Sequence, residues 1–125
     1  MNETELKNGK AAEKATAEYL VANGWRILNT NYRTSRGEID IVAVEGDCLV
    51  FVEVKSGRKG SRGIPALRVG PVKQRRLILA ARQYITDYQP TVAEYRFDVA
   101  SLIPKKNGEW QIEHLRDAFR PAEDD

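Results

Sequence analysis

The sharpest hydrophobic pattern in the chain lies in residues 37–55. Ile39, Ile41, Val42, Ala43 and Val44 form one apolar, largely β-branched run, and Cys48, Leu49, Val50, Phe51, Val52 and Val54 form a second. Each has the length of an ordinary strand, and Gly46-Asp47 between them is a two-residue hairpin signal. With those two residues as the loop, an antiparallel ladder pairs Glu45 with Cys48, Val44 with Leu49, Val42 with Phe51 and Asp40 with Glu53. Leu49 and Phe51 share one face of the second strand, while Val50, Val52 and Val54 line the other. A strand apolar on both faces is expected inside a sheet.

A helical rhythm precedes the hairpin. Ala12, Ala15, Thr16, Tyr19 and Leu20 fall on one side of a helix that Thr4 can cap and Asn23-Gly24 can end. This face is narrow and built of small residues, suited to close packing on a sheet, and Glu13 borders it. Residues 25–32 predict a short strand. Residues 34–37 predict a turn, and Glu38 is expected to pair with Arg33 or Arg36. After the hairpin, glycines at 57, 60 and 63 among serine and basic residues predict a mobile basic loop. Pro71 suits the first turn of a second helix that runs to about Tyr88. Its packing face comprises Val72, Leu77, Ala80, Ala81, Tyr84, Ile85 and Tyr88.

Residues 93–103 predict another strand, with Tyr95, Phe97 and Val99 on one face and Asp98, beside Arg96, in a structural ion pair. Asn107-Gly108 is a turn signal, and residues 109–115 predict a final antiparallel strand. His114 near its end is expected to be a hydrogen-bonded surface residue. Residues 116–120 predict a short helical turn stopped by Pro121. This order of elements predicts an α/β sandwich, a mixed central sheet flanked by helices. One domain over residues 1–120 is expected, followed by an acidic, frayed tail over 121–125.

Composition narrows the class. A chain of 125 residues, 42% hydrophobic and 30% charged, suits one soluble domain with an ordinary core. Cys48 has no second cysteine to bridge, and one cysteine with one histidine cannot build a zinc cluster. No apolar run has signal-peptide or membrane-spanning length, so a cytoplasmic protein with no membrane partner is expected. The net charge is only +2, but its distribution is uneven. Residues 54–86 contain no acidic residue and hold Lys55, Arg58, Lys59, Arg62, Arg68, Lys73, Arg75, Arg76 and Arg82. A basic field of this kind suits a polyanion.

The hairpin itself carries candidate chemistry. Directly opposed strand residues have Cβ atoms about 4.5–5.5 Å apart, where like charges are destabilising. Asp40 and Glu53 therefore need a cation. Lys55, two residues beyond Glu53 and on the same face, balances one of the two charges. A hard divalent ion would fill the remainder, since Mg²⁺ typically takes one or two carboxylates with waters and substrate phosphate. The opposing reading is a surface ion pair of little consequence. Lys73, Gln74, Arg75 and Arg76 crowd the first turns of the second helix, where cations oppose the helix dipole. An anion held by these side chains and the free N–H groups would explain them. The alternative is that they lie along the sheet edge.

Asp40 followed by Glu53-Val54-Lys55 after a hairpin, with Glu13 on a preceding helix, resembles the PD-(D/E)XK nuclease motif. Residues 37–40, 50–55, 73–77 and 96–99 together resemble the YraN-type family of bacterial endonuclease-like proteins, a likeness running from Gly9 to Phe119. The proline that names the motif is absent, Ile39 standing before Asp40. The resemblance implies a restriction-endonuclease-like core related to Holliday junction resolvases. It implies that Asp40 and Glu53 hold Mg²⁺ or Mn²⁺, that Glu13 completes the catalytic site, and that Lys55 orients the attacking water and favours its hydroxide form.

Phosphate contacts are expected from Arg58, Lys59, Arg62, Lys73 and Arg76. The expected function is metal-dependent hydrolysis of phosphodiester bonds, in DNA and with structure specificity. Two cuts across a junction would call for a homodimer. Two other readings fit the same residues: a nucleic-acid-binding module with a nuclease fold but no turnover, and a protein-interaction domain of a DNA repair or uptake complex.

Overall fold

A computed structural model describes residues 3–57 and 69–122, with side chains of the first helix from residue 9 onward. The order is α1 (Glu3–Ala22), β1 (Arg26–Arg33), β2 (Glu38–Glu45), β3 (Cys48–Ser56), α2 (Pro71–Tyr88), β4 (Glu94–Pro104) and β5 (Trp110–Phe119). The strands form one sheet in the order β1-β2-β3-β4-β5. Only β3 and β4, joined through α2, run parallel; the other neighbours are antiparallel. The expected mixed sheet flanked by helices is the observed architecture.

The alternation of β3 explains the layering. Leu49 and Phe51 pack with Leu77, Ile78, Ala80, Ala81 and Tyr84 of α2. Val50 and Val52 pack on the other face with Ala12 and Leu20 of α1. Each helix thus covers one face of the sheet, and β3, buried on both, is its centre. The small residues of α1 let it lie close: Ala12 is fully enclosed, and the Thr16 hydroxyl donates to the Ala12 carbonyl at 2.7 Å. The hairpin has the expected register from Glu45↔Cys48 as far as Ile41↔Val52, with Gly46 at φ 58° in the turn, but the expected pairing of Asp40 with Glu53 is not part of the ladder.

Several expectations need correction. Val72 and Tyr88 are 68% and 55% exposed, so α2 packs through Leu77, Ile78, Ala80, Ala81 and Tyr84, with Ile85 partly buried against them as expected. Tyr95 is likewise exposed near the start of β4. Residues 116–119 are strand, not a helical turn, because β5 continues past an irregularity until Phe119 pairs with Phe97. Asp117 takes a positive φ of 54° there and its N–H donates to Asp98. His114 is not a surface residue: its side chain is enclosed, bonded to Asp98 at 2.7 Å and Tyr19 at 3.1 Å, with Trp25 against its ring. Thr4 as a cap, the basic loop with Arg58, Lys59 and Arg62, and residues 123–125 lie outside what is described. Among the described residues no helix is long and apolar enough to cross a membrane.

Candidate functional site

The site forms where two ladders end at different places. The β2/β3 pairing stops at Ile41↔Val52, while β3 goes on pairing with β4 as far as Ser56↔Leu102. Beyond Val52 the β2 side of β3 has lost its backbone partner, and buried N–H groups need a substitute. Asp40 provides one: its carboxylate accepts the Val54 N–H at 2.8 Å. The face alternation of β2 is also loosened here, since Ile39 and Val42, three residues apart, both pack on the α2 side. Asp40 is thereby held across the frayed end of the hairpin, beside the carboxylate of Glu53.

The electrostatics of this pair are unfavourable as they stand. Burial, then the charge of Glu53, push the Asp40 carboxyl from its ordinary 3.8 up to about 7, against the Val54 hydrogen bond that lowers it. Glu13 and Glu38 push in the same direction. Burial likewise raises Glu53, partly countered by Lys73 and Lys55. Lys73 at the start of α2 reaches Glu53 Oε1 at 3.6 Å. The other oxygen, Oε2, is buried without a hydrogen-bond partner. A buried, unpartnered carboxylate oxygen is costly and is uncommon outside functional sites.

The remaining expected residues divide. Lys55 acts on Glu53 as the alternation required. Glu13 is half-buried, and burial raises its pKa against a hydrogen bond from Asn31 that lowers it. It lies within electrostatic range of Asp40, but among the described residues no group of three or more His, Cys, Asp or Glu side chains is arranged to hold a metal ion. Glu38 pairs with Arg33 at 3.4 Å, as expected. Arg76 is exposed on α2, and its backbone carbonyl lies against Gly37, where an added Cβ would sit 2.5 Å from it. That contact fixes the start of α2, and with it Lys73, against the approach to β2.

Sequence reasoning missed two partners. The Lys73–Glu53 pair joins residues twenty apart in the chain across a crossover, so no local periodicity signals it. Asn31, at a positive φ of 52° in β1, bonds Glu13 from a third element. An asparagine inside a strand is a weak hint of such a backbone irregularity.

A mixed sheet between two helices, with Asp40 at one strand's start and Glu53-Val54-Lys55 at the next one's end, defines a restriction-endonuclease-like sandwich. The family described as uncharacterised protein family UPF0102 matches residues 12–102. A UPF0102 protein of Syntrophus aciditrophicus is 44% identical over 117 residues, covering 94% of this chain and 91% of its own length. Another from Kosmotoga olearia is 44% identical over 120 residues, covering 96% and 99%. One from Chlorobaculum parvum is 41% identical over 121 residues, covering 93% and 94%. The chain belongs to the UPF0102, or YraN, family.

Proposed function

We propose that this chain is a metal-dependent nuclease that hydrolyses phosphodiester bonds in DNA. The carrying observation is the partly buried pair Asp40 and Glu53, one with a strongly raised pKa and the other with an unpartnered oxygen. Two converging carboxylates that lack sufficient positive charge suit a hard divalent ion, Mg²⁺ or Mn²⁺, and the orphaned Glu53 Oε2 fits a ligand role. When bound, such an ion activates water and neutralises charge developing on the phosphate. Asp40 and Glu53 would hold it, with Glu13 adding negative charge from α1. Lys55, on the same strand end, would orient the attacking water. Lys73 and Arg76, with Arg58, Lys59 and Arg62 of the preceding segment, would position the phosphates without reading sequence.

The test uses the whole chain with single-stranded, duplex and branched DNA. Cleavage is expected with Mn²⁺ and is lost in Asp40→Ala, Glu53→Ala and Lys55→Ala, while binding persists and weakens steeply with salt. Salt-dependent binding with no cleavage in any divalent ion would favour a non-cutting DNA-binding module. An absence of salt-dependent affinity for every DNA form would favour a protein-interaction domain.

A further inference from the structure

Lys73 stands out because its position breaks one local rule and satisfies another. It lies in the first turn of α2, which has no acidic residue, and Gly70 offers no side-chain cap. A cation there opposes the helix dipole. Yet its ammonium is directed onto Glu53 Oε1 at 3.6 Å, on a side chain that is itself half-exposed. The partner is the opposite: the Glu53 side chain is only 12% exposed, and its second oxygen has no hydrogen bond. A long, solvent-reaching ammonium thus covers one oxygen of an enclosed carboxylate and leaves the other unserved.

Resting on the metal-dependent reading above, we propose that Lys73 is a placeholder cation. In the metal-free protein it occupies part of the positive charge that the Asp40/Glu53 pair requires. With a divalent ion bound, Asp40 and Glu53 would hold it and supply the charge balance that Lys73 now supplies in part, and the Lys73 ammonium would be free to contact a phosphate of the bound nucleic acid. The geometry allows this exchange without moving the backbone. The Gly37 contact with the Arg76 carbonyl and the buried Leu77 and Ile78 fix the helix start, whereas the Lys73 side chain is exposed enough to swing. Its role is positional on the metal side and direct on the phosphate side. The metal and the DNA are coupled through one amine.

The exchange predicts opposite effects on two ligands. Removing the competing ammonium by Lys73→Met should tighten Mn²⁺ binding by roughly fivefold in calorimetric titration without DNA, the size expected for a half-exposed ion pair. The same variant should raise the KM for DNA and lower kcat at saturating Mn²⁺. Lys73→Arg, which restores the cation, should return Mn²⁺ affinity and KM toward wild type. In the unsubstituted protein carrying ¹³C-labelled lysine, Mg²⁺ should shift and sharpen the Lys73 ε-methylene signal as the side chain is freed. Unchanged Mn²⁺ affinity in Lys73→Met, with wild type binding normally, would overturn this inference alone. A Lys73 signal insensitive to saturating Mg²⁺ would do the same. Failure of the wild-type chain to bind either ion would overturn the metal-dependent reading and this inference together.

Discussion

Asp40→Asn is expected to lower Mn²⁺-dependent cleavage by about 10²–10³-fold, as where a charge-stabilising group is removed, while making the metal-free protein more stable. Both effects follow from one feature. Burial and the neighbouring Glu53 push the folded-state pKa of Asp40 to about 7, from an ordinary 3.8. Between those two values the folded state binds more protons than the unfolded state, so stability falls as pH rises from about 4 to 7. At pH 8 the full cost of holding the charge is present, on the order of 4 kcal/mol at about 1.4 kcal/mol per pKa unit.

Asparagine removes that cost and still offers an oxygen to the Val54 N–H. Thermal unfolding at pH 8 should rise by about 5–10 °C in the variant, with the advantage shrinking toward pH 4. Millimolar Mn²⁺ should stabilise the wild-type chain and leave the variant unchanged. Destabilisation of Asp40→Asn at pH 8 would show that Asp40 serves the fold rather than a ligand.

Asp98→Ala is expected to have the largest effect on stability, and in the opposite sense. Asp98 is fully enclosed, yet every acceptor site is used. Arg96 donates twice, at 2.8 and 3.0 Å, His114 lies at 2.7 Å, and the Asp117 N–H donates at 2.9 Å. Burial works against its charge, but the bonds from His114, Arg96 and the Asp117 N–H outweigh it and hold the pKa below the ordinary value. Its contribution is therefore present above the ordinary carboxylate pKa and lost as pH falls through the lowered one.

Removing Asp98 from such a buried network leaves the Asp117 N–H and His114 Nε2 without their acceptor and Arg96 with Glu45 alone, a cost of about 3–5 kcal/mol. Arg96 also bonds Glu45, which Arg116 joins, and both guanidinium groups lie over Trp25. The loss should thus loosen the α1 face of the sheet as a unit. Chemical denaturation should show a markedly lower midpoint, and cleavage by the fraction that remains folded should persist. A midpoint within 0.5 kcal/mol of wild type would contradict this structural role.

Two aspartates, the partly buried Asp40 with a raised pKa and the enclosed Asp98 with a lowered one, mark off the proposed site from the scaffold. The sequence made Asp40 visible because the two-residue loop at Gly46 and Asp47 dictates a hairpin register that carries Asp40 toward Glu53, although the ladder ends one pair short of them, at Ile41↔Val52. It also made Asp98 readable as an ion pair, through Arg96 two residues away on the same strand face. The partners from distant elements were not legible. Lys73 reaches Glu53 only once the crossover through α2 sets the helix start, and His114 is enclosed only because Tyr19 of α1 and Trp25 converge on it. Residues 116–119 look like a helical turn by local propensity, but pairing of Phe119 with Phe97 and stacking of their rings at 4.8 Å override it. Tertiary pairing of this kind leaves no periodic trace.

The central claim, that Asp40 and Glu53 jointly bind a divalent ion, is tested most directly by a crystal of the wild-type chain grown with Mn²⁺ and measured at the manganese absorption edge. An anomalous peak within 2.0–2.4 Å of a carboxylate oxygen of each, about the length of a metal–oxygen bond to a hard divalent ion, with the Lys73 ammonium drawn away from Glu53, is the predicted result. A well-ordered map at saturating Mn²⁺ with no peak between these two carboxylates would contradict it.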